Sequence, residues 1–236
     1  MEINPLPCDN KDMLTPATTR GNAFLYVLIA VILLGALSFA ISRSNDSSPS
    51  GELSDAGSKT AATSILAYEA QARTSIDQMI QNGSNVASMD FILPSGASFN
   101  TAPTINKLFH PDGGGLQLKP LPKAGMGTTT VTPAAGYYIG RFNNVIWTPT
   151  TSSDVIFTAW GVSQATCAEL NRKIAGNTAI PTIGINIRQF LLDVSVGGQA
   201  NVDLTSGVCA ACNERPSFCV TNGSSFYAYY SILVAR

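Results

Sequence analysis

The sequence predicts an α+β protein. It is led by a transmembrane helix and an amphipathic helix, followed by a disulfide-stapled, antiparallel β-rich head. Three observations point there. An apolar run sits near the N-terminus. Helical periodicity follows it at 60–82. The remainder is rich in β-branched and aromatic residues and holds four of the five cysteines.

Ala23 to Ile41 is nineteen residues without a charge. A helix of that length spans about 28 Å, close to a hydrocarbon core of ~30 Å. Secretory apolar regions are shorter, about 7–15 residues. The alternative is a cleaved signal peptide with Ser38-Phe39-Ala40 as the small-x-small site. Lys and Arg on the two flanks balance, so charge does not orient the span. Cysteine does. Cys8 stands alone before the run, while Cys167, Cys209, Cys212 and Cys219 follow it as an even set. That split places residues 1–20 in a reducing compartment and the bulk of the chain in an oxidising one. The expected organisation is a leader at 1–21, a span at 22–42, a Ser/Gly/Pro linker at 43–59, an amphipathic helix at 60–83 and a head at 84–236.

In the helix, Ile65, Ala72, Ile76 and Met79 fall on one face, and Glu69 and Arg73 make an i,i+4 pair. Gly83 suits the position just past its end. The apolar stripe is expected to pack on the head's own sheet; contact with neighbouring subunits is the other use for it. Further on, "MDFIL" (89–93) is a candidate short strand. "GYYIGRFNNVIW" is a second, with a turn at Asn143-Asn144. "DVIFTAWGV" and "FYAYYSILV" are strands by composition. Ser163 caps a helix at 164–175. "NIRQFLLDV" fits helix or strand equally, and the Pro/Gly-rich stretches from 94 to 136 are loops around short strands.

Composition narrows function. Charged residues are 12% of the chain and the formal net charge is −1, so no basic surplus exists to hold nucleic acid. The single histidine, His110, sits in the loop "HPDGGG" beside Asp112 and is expected to be solvent-exposed. The glycines after it lack the lysine of a phosphate loop. The later cysteines could form a tetrahedral zinc site or two disulfides in one of three connectivities, and an oxidising compartment favours disulfides. Tyr137, Tyr138, Trp147 and Trp160 are candidates for the core or for a contact patch. No acid, base, nucleophile and metal-ligand set converges, which predicts a non-enzymatic protein without a cofactor.

The leader ending "TTRG", the apolar helix directly after it, and the closing stretches "VSQATCAELNRKIAG" and "CVTNGSSFYAYYSILVAR" together resemble type IV pilins and pseudopilins. The long leader looks like the type IVb subgroup. The resemblance implies cleavage by a prepilin peptidase between Gly21 and Asn22. It also implies a bond from a cysteine on a short helix to one just before the final strand: Cys167 to Cys219, leaving Cys209 and Cys212 to close a local loop. Implied partners are the lipid bilayer, the peptidase and other pilin-like subunits. The implied location is the inner membrane, single-pass, with the head in the periplasm or on the cell surface. Two positions depart from the family. Asn22 stands where Phe or Met is usual, and Tyr26 stands where a glutamate pairs with a neighbouring subunit. Pro49, Gly51 and Gly57 are expected to interrupt the stem. These features imply a minor or tip component of a type IV pilus or type II secretion-like assembly. The alternative is a membrane-tethered binding module that does not assemble.

Overall fold

The computed structural model describes residues 49–127, 131–184 and 186–236. Residues 50–236 form one compact unit. The leader, the Gly21-Asn22 junction, the apolar run and the first part of the linker lie outside the described residues. Among the described residues, no helix is long and apolar enough to cross a membrane.

The first element, helix α1, runs from Pro49 to Gln81. It therefore begins inside the expected Ser/Gly/Pro linker. Pro49 stands at the helix start, where a fixed φ and a missing N–H cost nothing. Gly57 is tolerated because the helix is packed there: an added Cβ would meet the Ala124 Cβ at 3.3 Å. The helix ends as Gly83 takes φ +92°, and the Ser84 N–H returns to the Met79 carbonyl at 2.9 Å. Ile65, Ala72, Ile76 and Met79 are all buried, so the stripe belongs to the unit's own core. The outward face carries Thr63, Ser64, Ala67, Ala70, Gln71 and Thr74.

Four antiparallel strands follow: β1 (Gly136–Asn143), β2 (Asp154–Val162), β3 (Ser217–Thr221) and β4 (Tyr227–Val234). Their order across the sheet is β1-β2-β4-β3. Between β2 and β3 come α2 (Gln164–Ala175), α3 (Arg188–Leu191) and α4 (Val194–Gly197). Helix α2 starts at the Ser163 cap, whose hydroxyl oxygen accepts from the Thr166 N–H at 3.2 Å. The ambiguous 186–194 stretch holds one single-turn helix, α3, and ends on the first residue of α4.

Successive strand residues point to opposite faces, and both faces here are buried. On one side Val155, Phe157, Ala159, Tyr229 and Leu233 pack with the α1 stripe and with Leu170 of α2. On the other, Ile156, Trp160, Ala228, Tyr230 and Ile232 pack with Ile187, Phe190, Leu191, Leu192 and Leu204. The sheet thus divides two cores, and all nine residues of β2 are buried. Trp160 is a core residue, 1% exposed.

One expected strand and one expected turn are absent. "MDFIL" contributes a single bridge, Asp90 to Lys107. The Asp90 carboxylate accepts from the Ile92 N–H at 2.9 Å, which turns the chain away from extension. Nor does Asn143-Asn144 close a hairpin. The Leu204 N–H bonds to the Asn144 carbonyl and the Ile146 N–H to the Leu204 carbonyl, at 3.0 Å each, drawing the chain toward 201–204. Strand β1 pairs with β2 instead.

The two sheet edges differ. At β3, the Asn171 side chain bonds both main-chain groups of Cys219, at 2.8 Å each. The Thr221 N–H donates to the Pro181 carbonyl, and its carbonyl accepts from the Ile183 N–H, at 2.9 Å each. That edge is covered. At β1, no main-chain group makes a main-chain hydrogen bond outside the strand ladder, among the described residues.

Candidate functional site

The four later cysteines form two disulfides. Cys167–Cys219 has Cα atoms 5.4 Å apart, and Cys209–Cys212 has them 5.2 Å apart. The first lies in the core on the α1 side, the second in the core on the opposite face. A single tetrahedral site built from all four sulfurs is therefore excluded by geometry. The longer bridge ties α2 to β3, the edge strand that precedes the last strand in sequence. No group of three or more His, Cys, Asp or Glu that could hold a metal is found among the described residues.

His110 is not the exposed loop residue its composition suggests. Its side chain is 12% exposed, and it packs on Phe99 with ring centroids 5.0 Å apart. Its Nδ1 accepts from the Asp112 N–H at 3.2 Å, which fixes the imidazole locally. The glycines after it are steric: a Cβ on Gly113 would lie 2.1 Å from the Lys107 carbonyl oxygen. Beneath this loop Lys107 is 4% exposed. Its ammonium donates to the carbonyls of Ser98, Phe99 and Thr101, so the cation serves as the hub of the 98–101 turn.

A polar cluster joins α1 to β4. One Glu69 oxygen accepts from the Tyr229 hydroxyl at 2.5 Å, the other from the Ser231 hydroxyl at 2.6 Å. Arg73 donates to Glu69 at 3.3 Å and to the carbonyls of Leu233 (2.9 Å) and Ile232 (3.1 Å). Sequence alone shows Glu69 and Arg73 as a surface pair; their β4 partners emerge only with the fold. Burial pushes the Tyr229 phenol well above its ordinary pKa, and the nearby Glu69 charge adds to this. Burial also raises Tyr137 and Tyr230.

These shifts fix a sign. Unfolded phenols titrate near 10.0, while the folded ones hold their protons above that. As pH climbs past the unfolded value, the unfolded chain releases protons that the folded chain retains, so stability falls. Urea midpoints measured from about pH 8 to about pH 11 should be level at first and then decline, with a shallower decline in Tyr229→Phe.

The strongest functional candidate is a groove of about 470 Å³ along β1. Consecutive residues Tyr137 to Phe142 all line it. Because neighbours on a strand face opposite ways, the groove must follow the strand's open edge. Phe91, Leu93 and Phe109 form one wall; Asp193, Ser195 and Val196 form another; Arg236 lies at the Asp154 end. Leu93 and Val196 are apolar yet 48% and 39% exposed. Asp193 caps α4 by accepting from the Ser195 N–H at 2.8 Å. Tyr137 and Tyr138 thus serve as groove lining. The other walls come from three separate chain segments, and no sequence spacing marks them as neighbours. The groove suits recognition by shape and main-chain pairing; its phenols are held protonated by burial. Comparison with protein-family models, with curated proteins and with solved structures finds no match for this chain.

Proposed function

We propose that this chain is a membrane-anchored, pilin-like protein acting through assembly or surface contact, as a minor or tip component of a type IV pilus or type II secretion-like system. The observation that carries the reading is the mutual arrangement of α1, the sheet and the Cys167–Cys219 bond. A long helix lays its whole apolar stripe on a four-stranded antiparallel sheet. A disulfide then pins a short helix to an edge strand. The resemblance implies an amphipathic helix leading into a β-rich head stapled by this bond, and the nineteen-residue apolar run precedes that helix in sequence. The two disulfides also suit a head held in an oxidising compartment. On this reading the chain is single-pass in the inner membrane, processed at Gly21-Asn22 by prepilin peptidase, and active without catalysis.

A second reading, a tethered binding module with no assembly partner, draws support from the open β1 groove. The polar outer face of α1 favours it as well, since among the described residues it offers neighbouring subunits no apolar stripe, only Ile80 at its end.

Intact-mass measurement on protein isolated from cells that possess the peptidase tests the first reading. The expected chain starts at Asn22. A chain retaining Met1 counts against pilin-type processing, and one starting at Ile41 indicates signal-peptide removal. Crosslinking through 22–41 in membranes then separates an assembling stem from a lone tether.

A further inference from the structure

We infer that the groove along β1 is a docking site for an extended peptide segment of a partner protein, which adds to the sheet as a fifth strand and carries an acidic residue at its N-terminal end.

The main-chain chemistry comes first. An edge strand presents a row of N–H and C=O groups that another extended strand can match. The sheet has two such edges and treats them oppositely. The β3 edge is occupied by Asn171 and by residues 181–183. The β1 edge has no such cover among the described residues. Its sequence, GYYIGRFN, contains no proline and no lysine, and the one irregularity in its pairing falls at the far end, between Arg141 and Asn143. Pairing with β2 is regular from Gly136 to Arg141, so the outer groups keep the spacing a partner strand needs.

The walls say what side chains the strand carries. An added strand directs alternate residues to the two faces of the sheet. One set would meet Phe91, Leu93 and Phe109, the other Val196 and the α4 turn. Leu93 and Val196 are large and exposed, and apolar residues in the incoming strand would cover them.

Charge sets the orientation. Arg141 lies near the C-terminal end of β1. Arg236 joins the same end of the sheet, since its N–H donates to Asp154, the partner of Asn143. Neither guanidinium is ion-paired among the described residues. Asp193, the one acidic side chain in the lining, is committed to the α4 turn, and the Asp154 carboxylate at the arginine end is held by the Val145 and Arg236 N–H groups. Every pair in this sheet is antiparallel. A strand added in that sense places its N-terminal end beside the two arginines, and an acidic residue there complements them.

The test uses the full-length chain in detergent micelles. The probe is a fluorescein-labelled peptide of alternating valine and threonine with glutamates at its N-terminal end. Binding is expected, with slowed hydrogen exchange at the amides of residues 136–141. N-methylating alternate peptide residues on the edge-facing side should abolish it; methylating the other set should not. Arg141→Glu should weaken binding by about tenfold, and a lysine-ended peptide should reverse that preference. Arg141 also donates to the Ala87 carbonyl, so Arg236→Glu, on an exposed residue, serves as the second variant with the same expectation. The inference is overturned if the peptide gives no protection at 136–141. It is equally overturned if both methylation patterns bind alike, or if both charge reversals leave affinity unchanged. None of these outcomes depends on how residues 1–48 are processed, so the proposed membrane role stands or falls separately.

Discussion

Replacing Cys167 and Cys219 together by alanine is expected to lower the stability of the folded unit by about 4 kcal/mol. The bridge spans 52 residues of sequence, and the entropy removed from the unfolded chain grows with the logarithm of that span. The Cys209–Cys212 bridge spans only 3 and by the same reasoning contributes about 2 kcal/mol. Both cysteines of the long bridge are fully buried, with Leu170 packed in the same core. Alanine at both sites also leaves a small void, which adds to the loss. Urea unfolding of the two double variants beside the parent checks the ranking. If the short bridge proves the costlier to remove, loop entropy is not what the long one supplies.

The second large effect is expected at Glu69. Glu69→Ala should cost about 3 kcal/mol, because it leaves the buried Tyr229 hydroxyl without its acceptor and the Ser231 hydroxyl with only its bond from Arg73. The ion pair with Arg73 accounts for little of that, since the arginine side chain is 40% exposed. The distinction is testable. Adding Tyr229→Phe and Ser231→Ala to Glu69→Ala removes the stranded groups and should recover most of the loss, despite the missing charge. Arg73→Ala alone should cost less than Glu69→Ala. Unfolding free energies of these variants, combined as a thermodynamic cycle, decide it. Equal costs for Glu69→Ala and Arg73→Ala would show that the charge pair, not the hydroxyls, governs the helix–sheet joint.

Local patterns were legible where local chemistry decides structure. The Ser163 cap sets α2 because a hydroxyl and an N–H three residues apart meet whatever surrounds them. The α1 stripe and strands β2 and β4 follow from periodicity and from β-branched and aromatic content. The failures share a different cause. Gly and Pro lower helix propensity in isolation, yet 49–59 is helical: Pro49 sits at the first position, where it is tolerated, and packing at Gly57 and Ser58 anchors the turn that follows. "MDFIL" has strand composition but no partner beyond one bridge. Strand β3 was hidden inside a longer closing stretch, and its role emerges only from pairing with β4. For the groove, Tyr137 and Tyr138 were visible as aromatics. Their meeting with Leu93, Val196 and Arg236 is a product of topology alone.

A sheet greasy on both faces poses an addressing problem. When only one face is buried, hydrophobic alternation locks the alignment of each strand, since a slip by one residue turns the wrong side inward. Here β2 and its neighbour β4 would lose little apolar contact by such a slip, so the address must be written in the few polar atoms of the two strands. Thr158 supplies one, donating to the Leu191 carbonyl at 2.7 Å on one face. Ser231 supplies another on the opposite face, through Glu69. A slipped strand would point each hydroxyl at hydrocarbon, and these two small groups thereby act as the alignment code of the whole molecule.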